Sequence, residues 1–420
     1  MTLRLLLTLL HVLAMLAGLA PHASAQDDGT SPPAATPVEE AIFSGADLGQ
    51  VAPLPFDGPL QDALSAFVVK AMAVCPVPGA SVAVVQNGEV VYLEGFGTRE
   101  RDGDNPVTSD TLMRVGSVTK PVTATLAAVL IDDGVIAWDT PAVDLLPDFS
   151  LSNPELAAHL TVSDLLSGAT GLPRRDLEFI FQSDTYSPEG LIDAVARLPL
   201  TARLGERFQY SNQAFALGGY ALARAAGAAP DNLLAGYEAA IRHHVLNPHG
   251  MARSAFDLDR VLVSGNYAAP HAPDLSGTPQ AISLLMENRF TMAVAPAGAM
   301  WSTARELGAF LQMLIGEGVA ADGERIVSGL AAYGLGWFVG EFGGQTLISH
   351  SGGTFGFSSE LAFLPEAGLG IAVLANDPVC GALLSYAAQY RLFELVFDLD
   401  PLVETEFGLF AGAIDAQRRL

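Results

Sequence analysis

The sequence predicts an α/β (α+β) fold in which one lobe is built from both ends of the chain and holds an inserted helical lobe. Two observations carry this prediction. Strand-like runs stand near residues 79–97 and return only after residue 330. Between them the chain shows mainly helical apolar spacing and loops. With 420 residues and only 16% charged side chains, the chain can also bury a large core.

Local signals support each predicted element in turn. Apolar residues at helical spacing between Leu60 and Met72 indicate a first helix. Asn87-Gly88 then separates ASVAVVQ from EVVYLEGFG, which is a strong signal for a β-hairpin. A second helix follows in VTKPVTATLAAVLIDDG and stops at Gly134. The last elements are four strand-like runs, GLGWFVGEF, QTLISH, SSELAFLP and GIAVLAN, and a long helix, GALLSYAAQYRLFELVF.

Residues 1–25 are interpreted as a secretory signal peptide, removed on export to a periplasm or to the exterior. Arg4 precedes a leucine-rich run, and the segment ends in the small residues Ala-Ser-Ala before Gln26. An uncleaved anchor is the alternative, but the apolar run from Leu5 to Ala20 is short for a membrane span. We therefore expect no stable membrane insertion after cleavage.

The rest of the chain is divided into a leader and one folded domain. Residues 26–56 are rich in Pro, Ala, Gly and acidic residues, and are predicted to be disordered. The domain is predicted at 57–420. Its α/β lobe is expected at about 57–115 and 290–400, and its helical lobe at about 116–289.

The charge of the chain limits its partners. Acidic residues number 46 and basic residues 21, which gives a formal net charge of −25. Such a surface repels phosphate backbones, so a nucleic-acid partner is excluded. A small-molecule or peptide substrate is expected instead, and the oligomeric state is left open.

A serine and a lysine in VGSVTK are the first candidates for catalysis. Ser117 and Lys120 stand at i and i+3, so on a helix they share a face. A serine hydroxyl needs an adjacent base to become a nucleophile. Lysine can supply it where its pKa is lowered, whereas arginine cannot be deprotonated, and the chain has only one other lysine, Lys70. By itself the pair is a weak signal, because Ser-x-x-Lys also occurs by chance.

Two further segments carry polar groups suited to catalysis. In QYSNQ, Tyr210 can transfer protons and Asn212 can both donate to and accept from a substrate amide. The same segment also fits the cap of a following helix. In SHSGGTFG, His350 closes a β-type run, and Gly352 and Gly353 allow a substrate to approach the backbone and its N–H groups. An ordinary turn is the alternative there.

Together these segments resemble the three signatures of the serine β-lactamase and penicillin-binding-protein superfamily, which stand here as Ser117-x-x-Lys120, Tyr210-x-Asn212 and His350-x-Gly352. Stretches such as VPGASVAVVQNGEVVYLEGFG and LTVSDLLSGATGLP resemble its class C β-lactamase-like branch, which includes carboxypeptidases, D-amino-acid peptidases and esterases. The resemblance covers roughly residues 57–400. It implies an antiparallel sheet flanked by helices, plus an inserted all-helical lobe.

The resemblance also implies a serine hydrolase that works through an acyl-enzyme. Ser117 would be the acylated nucleophile and Lys120 its base or proton relay. Tyr210 would activate the nucleophile or the deacylating water, and Asn212 would bind the acyl-side amide. The backbone N–H groups of Ser117 and Gly353 would form the oxyanion hole. Neither a metal nor a cofactor is implied.

The third motif bears on the substrate, which Asn212, His350 and Gly352 are expected to contact. Many β-lactamases and cell-wall transpeptidases have a lysine in place of His350, and that lysine helps to hold a carboxylate. Histidine is a weaker anchor for anions near neutral pH. We therefore expect an esterase or peptidase acting on an ester, amide or peptide bond. A true β-lactamase or D-Ala-D-Ala carboxypeptidase, and a catalytically weak binding or structural protein on the same scaffold, are the alternatives.

The two cysteines, Cys75 and Cys380, are either paired or two buried small side chains. The resemblance brings the end of the first helix and the start of the last helix near the same region of the sheet edge. A disulfide between them is therefore expected.

Two other site chemistries are not favoured. No Gly-x-Ser-x-Gly elbow of an α/β-hydrolase is present. His243, His244 and His249 form a cluster, but no carboxylate completes a common ligand spacing. No metal site is predicted.

Overall fold

A six-stranded antiparallel sheet and two short two-stranded sheets form the β-structure of this computed structural model, which describes residues 47–176, 187–319, 325 and 335–408. The strands are β1 Gly79–Gln86, β2 Glu89–Gly97, β3 Met113–Arg114, β4 His271–Pro273, β5 Pro279–Ala281, β6 Trp301–Ser302, β7 Phe338–Phe342, β8 Gln345–Gly353, β9 Ser358–Leu364 and β10 Leu369–Ala375. In the large sheet the order is β2-β1-β10-β9-β8-β7. The early hairpin therefore pairs with the last strand, and both ends of the chain build one lobe.

Helices cover both faces of this sheet and form the inserted lobe. They are α1 Gly58–Val74, α2 Thr119–Asp132, α3 Ala142–Leu145, α4 Pro154–His159, α5 Val162–Ser167, α6 Pro188–Ala196, α7 Asn212–Ala225, α8 Leu233–Ile241, α9 Leu258–Ser264, α10 Leu284–Thr291, α11 Ala295–Gly298, α12 Ala304–Ile315 and α13 Cys380–Val396. The fold is the antiparallel sheet with flanking helices and a helical lobe that the sequence predicted. Among the residues described, no helix combines the length and apolar character needed to cross a bilayer.

The central strands are buried on both faces, which explains their apolar runs. Every residue of β1, β9 and β10 is buried. The turn between β1 and β2 places Asn87 at φ +53° and Gly88 at φ +77°. Two consecutive residues at positive φ are typical of the tight hairpin turn predicted from Asn-Gly.

Two apolar layers enclose the sheet. On one face α1 packs against α13, and a disulfide joins Cys75, just after α1, to Cys380 at the start of α13, with Cα atoms 5.4 Å apart. On the other face α12 packs against β1 and β10, and its core continues into the helical lobe around α2 and α7. The disulfide therefore links two helices of the same layer that are 305 residues apart in sequence.

The leader is shorter than the sequence predicted. Leu48 and Phe56 are buried, and the Leu48 N–H donates to the Gly343 carbonyl at 2.7 Å. The prediction of disorder was therefore wrong for residues 47–56, because apolar side chains in this segment pack against the β-lobe. Residues 1–46, with the predicted signal peptide, lie outside the described residues.

The helical lobe continues beyond its predicted end near residue 289. Helix α11 packs on α2 and α7, so the chain returns to the β-lobe near Trp301. The short β4–β5 hairpin falls within the predicted helical range but contacts the α/β lobe, where the Arg101 N–H donates to His271 Nε2 at 3.0 Å. Helical spacing does not reveal α11 as part of the helical lobe, because α11 has only four residues.

Candidate active site

A close approach of two backbone segments positions Ser117. Strand β3 leads into a 3₁₀ turn at Gly116–Val118, and α2 follows directly. Gly116 adopts φ +52°, and a Cβ there would lie 2.6 Å from the backbone N of Gly353. Only glycine allows both features, so the segment before α2 can lie against the end of β8. Ser117 is left partly exposed, while Lys120, on the first turn of α2, is 3% exposed.

The three polar side chains of the first two motifs meet at the serine hydroxyl. Tyr210 donates from its phenol to Ser117 Oγ at 2.7 Å, and Lys120 Nζ lies 3.2 Å from the same oxygen. Tyr210 is 93 residues from Ser117 in sequence. The contact between Ser117 and Lys120 that their i, i+3 spacing predicted is present.

Two further acceptors determine how the lysine amine is oriented. Lys120 Nζ lies 2.7 Å from Asn212 Oδ1 and 2.7 Å from the Ala297 carbonyl oxygen. Neither oxygen can donate a proton, so both require an N–H from the amine. A neutral amine has two N–H groups and one electron pair. When both N–H groups donate to these oxygens, the electron pair is left for the third neighbour, Ser117 Oγ.

The environment of Lys120 favours this neutral form. Burial lowers the pKa of Lys120 well below its ordinary value, because a charged amine loses its hydration there. The carboxylate of Asp176 raises the pKa and the guanidinium of Arg174 lowers it, both to a smaller extent.

The phenol of Tyr210 has the opposite character. Burial raises the pKa of Tyr210 above its ordinary value, while the hydrogen bond to Ser117 and the charge of Arg174 oppose the rise. The phenol therefore remains protonated and donates to the serine. The cap that QYSNQ indicated is also present, since Ser211 Oγ accepts from the Ala214 N–H at 3.3 Å. The capped start of α7 holds Tyr210 and Asn212 in place.

His350 lies in the site as an uncharged group. It is 3% exposed on β8, and its Nδ1 lies 2.7 Å from the Ser351 carbonyl oxygen. Burial, with a smaller contribution from the charge of Lys120, lowers the pKa of His350 to about 3. The Nδ1–H therefore donates to the carbonyl, and the ring carries no positive charge near neutral pH.

The glycine pair of the third motif lies against the segment before the serine. A Cβ on Gly352 would lie 2.0 Å from the Val115 carbonyl oxygen, to which Ser359 Oγ also donates at 2.7 Å. This packing places the backbone of Gly353 next to Gly116 and therefore beside Ser117. An oxyanion hole made by the N–H groups of Ser117 and Gly353 remains a prediction that fits this arrangement.

Sequence reasoning did not identify several residues of the site. Asn212 Nδ2 donates to Asp176 Oδ1 at 3.0 Å, and Arg174 forms an ion pair with the same carboxylate. The Phe338 ring lies 5.1 Å from the His350 ring. For Arg174 and Asp176 the sequence signal was the charged triplet Arg-Arg-Asp that follows Gly-Leu-Pro, and such a triplet is not specific for a catalytic site.

The histidine cluster is separate from these contacts. His243 and His244 lie in a π-helical turn after α8 with ring centroids 4.7 Å apart, and His249 is buried. Among the described residues, no group of three or more His, Cys, Asp or Glu side chains is arranged to hold a metal ion.

The fold and the three motifs are those of the serine β-lactamase and penicillin-binding-protein class. The family model described as Beta-lactamase matches residues 64–393. The chain therefore belongs to the β-lactamase family.

Curated relatives include a hydrolase and a penicillin-binding protein. The chain is 27% identical over 360 residues to an unguisins hydrolase of Aspergillus campestris, an alignment that covers 77% of this chain and 63% of that protein. It is 26% identical over 343 residues to penicillin-binding protein 4 of Amycolatopsis lactamdurans, covering 76% of this chain and 86% of the relative. The chain thus spans less than two thirds of the length of the unguisins hydrolase.

Solved structures agree with the predicted fold. The octameric penicillin-binding protein homologue from Pyrococcus abyssi matches with a TM-score of 0.66 and 26% identity, over 81% of this chain and 78% of that chain. A class C β-lactamase from Rhodobacter sphaeroides matches with a TM-score of 0.61 and 21% identity, over 79% of this chain and 98% of the other. The predicted family resemblance is confirmed.

Proposed function

We propose that this protein is an exported serine hydrolase that forms an acyl-enzyme on Ser117 and cleaves an ester, amide or peptide bond. The observation that carries the proposal is the double contact of Ser117 Oγ, which accepts from the Tyr210 phenol at 2.7 Å and lies 3.2 Å from Lys120 Nζ. One neighbour can take a proton and the other can donate one. A serine nucleophile requires such a base.

The steps follow from these protonation states. As Ser117 Oγ bonds to the substrate carbonyl carbon, its proton moves to the neutral amine of Lys120. The carbonyl oxygen becomes an oxyanion and would be stabilised by backbone N–H groups. When the bond to the leaving group breaks, the Tyr210 phenol supplies the proton that the leaving group needs. Return of the Lys120 proton to the phenolate of Tyr210 then restores both groups. Water repeats the sequence on the acyl-enzyme and releases the acid.

Export is supported by two independent features. The first 25 residues resemble a signal peptide, with a basic start, an apolar run and small residues at the end. The Cys75–Cys380 disulfide is a bond that persists mainly in oxidising compartments such as the periplasm or the exterior.

The proposed substrate is uncharged near the scissile bond. His350 is neutral, so the third motif provides no cation for a carboxylate. Beside it, Phe338 is 40% exposed and its ring is nearly parallel to that of Tyr210, with centroids 6.5 Å apart. Phe208, 60% exposed, contacts Phe338 edge to face at 6.1 Å. Exposed aromatic rings beside the reacting group favour an apolar substituent.

Acylation by β-lactams is a second candidate. The similarity to penicillin-binding protein 4 favours it, since the chain covers 86% of that relative. Comparing the reaction of the protein with an ester, with peptides and with a cephalosporin separates the two candidates.

The test is intact mass spectrometry of the mature protein with four compounds: a p-nitrophenyl ester, a D-amino-acid peptide amide, a D-Ala-D-Ala peptide and a cephalosporin. We expect an acyl adduct or turnover with at least one of them. It should be absent in Ser117→Ala and retained in the matched control Ser163→Ala. Equal labelling of Ser117→Ala, or no adduct and no turnover with any compound, would contradict the proposal. The reactive compound identifies the substrate class.

Truncating Phe338 should weaken the binding of apolar substrates. For Phe338→Ala we expect KM for a p-nitrophenyl phenylacetate to rise roughly 2- to 10-fold, because one aromatic contact is worth about 0.5–1.5 kcal/mol. KM for p-nitrophenyl acetate, which has the same leaving group but lacks the phenyl ring on the acyl side, should change less. Val339→Ala is the control, since Val339 is also exposed but points to the other face of β7. Equal changes for both esters would argue against an aromatic subsite.

A further inference from the structure

An ion pair lies behind the carboxamide that contacts the lysine. Asn212 Nδ2 donates to Asp176 Oδ1 at 3.0 Å, and Arg174 Nε contacts the other carboxylate oxygen, Oδ2. The side chains of Arg174 and Asp176 are 34% and 29% exposed, so both are partly shielded from water. The Arg174 guanidinium also lies 5.2 Å from the centre of the Tyr210 ring. Neither charged residue contacts Ser117 directly. Arg174 lies by Tyr210, which donates to Ser117, and Asp176 accepts from Asn212, which contacts Lys120.

The carboxylate removes an ambiguity in the carboxamide. An asparagine side chain can rotate by half a turn, which exchanges its oxygen with its NH₂ group. A carboxylate only accepts hydrogen bonds, so Asp176 requires the NH₂ group of Asn212 on its own side. The oxygen must then face Lys120, where it is found at 2.7 Å. The rotated carboxamide would place two donors together at the lysine and two acceptors together at the carboxylate.

We propose that Asp176, held by Arg174, is a positioning residue that fixes the orientation of the Asn212 carboxamide and thereby directs the electron pair of Lys120 at Ser117. With the carboxamide oxygen and the Ala297 carbonyl each occupying one N–H of the amine, only the direction of Ser117 Oγ is left for the electron pair. The second N–H of Asn212 stays available for an acyl-side amide of the substrate. This inference rests on the proposed function, because it assigns Lys120 as the base.

The charges around Lys120 provide a signature that a purely structural role would not produce. Among the residues that the structure describes, the titratable side chains facing the amine are Asp176, Arg174, Tyr210 and His350. The last two are neutral near pH 7, since the pKa of Tyr210 is raised and that of His350 is lowered. The carboxylate stabilises the lysine ammonium and the guanidinium destabilises it. Neutralising Asp176 should therefore lower the pKa of Lys120, and neutralising Arg174 should raise it.

The composition of the chain makes this pKa directly measurable. Lys70 and Lys120 are its only two lysines, so a protein labelled with ¹³C at lysine Cε gives two signals in a titration followed by NMR. Lys70 is 60% exposed and serves as an internal reference. We expect the midpoint of the Lys120 signal to move to lower pH in Asp176→Asn and to higher pH in Arg174→Gln. Shifts of the same sign in both variants, or none in either, would overturn the inference. This measurement does not require turnover.

Kinetics test the orientation itself. In Asp176→Ala the carboxamide is free to rotate, and we expect kcat for p-nitrophenyl acetate to fall roughly 10- to 100-fold, the range for one charge-assisted hydrogen bond. KM should change little, because this ester has no acyl-side amide for Asn212 to bind. Asp176→Asn keeps an acceptor oxygen and should retain most of kcat, with the acid limb of its pH profile moved to lower pH.

Asp148→Asn is the matched control for loss of one negative charge, since Asp148 lies exposed in the turn after α3. It should change neither kcat nor the Lys120 titration. If Asp176→Ala keeps kcat within twofold of the parent while remaining folded by circular dichroism, the positioning role is wrong. If the parent itself shows no Ser117-dependent turnover, the proposed function fails instead, and the NMR titration still decides whether Asp176 and Arg174 act on the amine.

Discussion

Replacing Lys120 by arginine is expected to lower kcat by about 10³-fold or more, close to the loss in Ser117→Ala, because residues of one nucleophile–base unit fail together. Arginine keeps the positive charge but cannot give up its proton in an ordinary protein site. A guanidinium therefore has no electron pair to take the proton of Ser117. Its extra volume also enters a buried site in which the amine already has three oxygen neighbours.

The measurement is turnover of the reactive ester between pH 6 and pH 10. Lys70→Arg is the matched control, because it makes the same exchange at the exposed lysine that pairs with Glu404, and it should leave kcat unchanged. In the parent protein, activity should fall as pH decreases through the lowered pKa of Lys120, because the amine gains a proton there. Substantial activity in Lys120→Arg would refute the assignment of Lys120 as base.

Removing the cation from a buried ion pair should strongly lower the free energy of unfolding. Arg114 and Glu287 have fully buried side chains, with Nε and Oε1 3.9 Å apart. Arg114 also donates to Asn288 Oδ1 at 2.6 Å and lies over the ring of Trp301 at 4.8 Å. For Arg114→Met we expect the free energy of unfolding to fall by about 3–5 kcal/mol, because a buried carboxylate is left without its partner. Urea unfolding followed by circular dichroism measures this change.

The pH dependence of this loss has a defined sign. Burial raises the pKa of Glu287 in the folded protein, and Arg114 is the charge that opposes the rise. Without Arg114 the folded protein binds a proton at Glu287 more readily than the unfolded chain does. Stability then decreases as pH rises through this raised pKa, so Arg114→Met should be less destabilised at pH 5 than at pH 8.

The double variant Arg114→Met, Glu287→Met is the control for this interpretation. It removes both charges and should recover part of the stability lost in the single variant, since an apolar pair has no desolvation cost. A single variant that loses less than about 1 kcal/mol would argue against the ion pair as a stabilising contact. A double variant less stable than the single one would argue against it equally.

The sequence predicted the parts of the molecule that depend on short-range patterns. The hairpin at Asn87-Gly88 follows from two residues that tolerate positive φ, and the contact of Ser117 with Lys120 follows from their spacing on one helix. Family resemblance supplied the order of the three motifs, the class of fold and the Cys75–Cys380 pairing. The leader was assigned too long, because composition does not show that residues 47–56 have a surface on which to pack.

By itself, the sequence determined which groups capable of catalysis the chain contains and which of them are near neighbours along it. The tertiary structure alone decided their chemical states. Asp176 reaches Asn212 across 36 residues and Lys120 reaches the Ala297 carbonyl across 177, and no periodicity links such positions. The lowered pKa values of Lys120 and His350 arise mainly from burial, which is a property of the packed molecule. A charge loses its hydration only when other segments of the chain enclose it, so sequence separation carries no information about that cost.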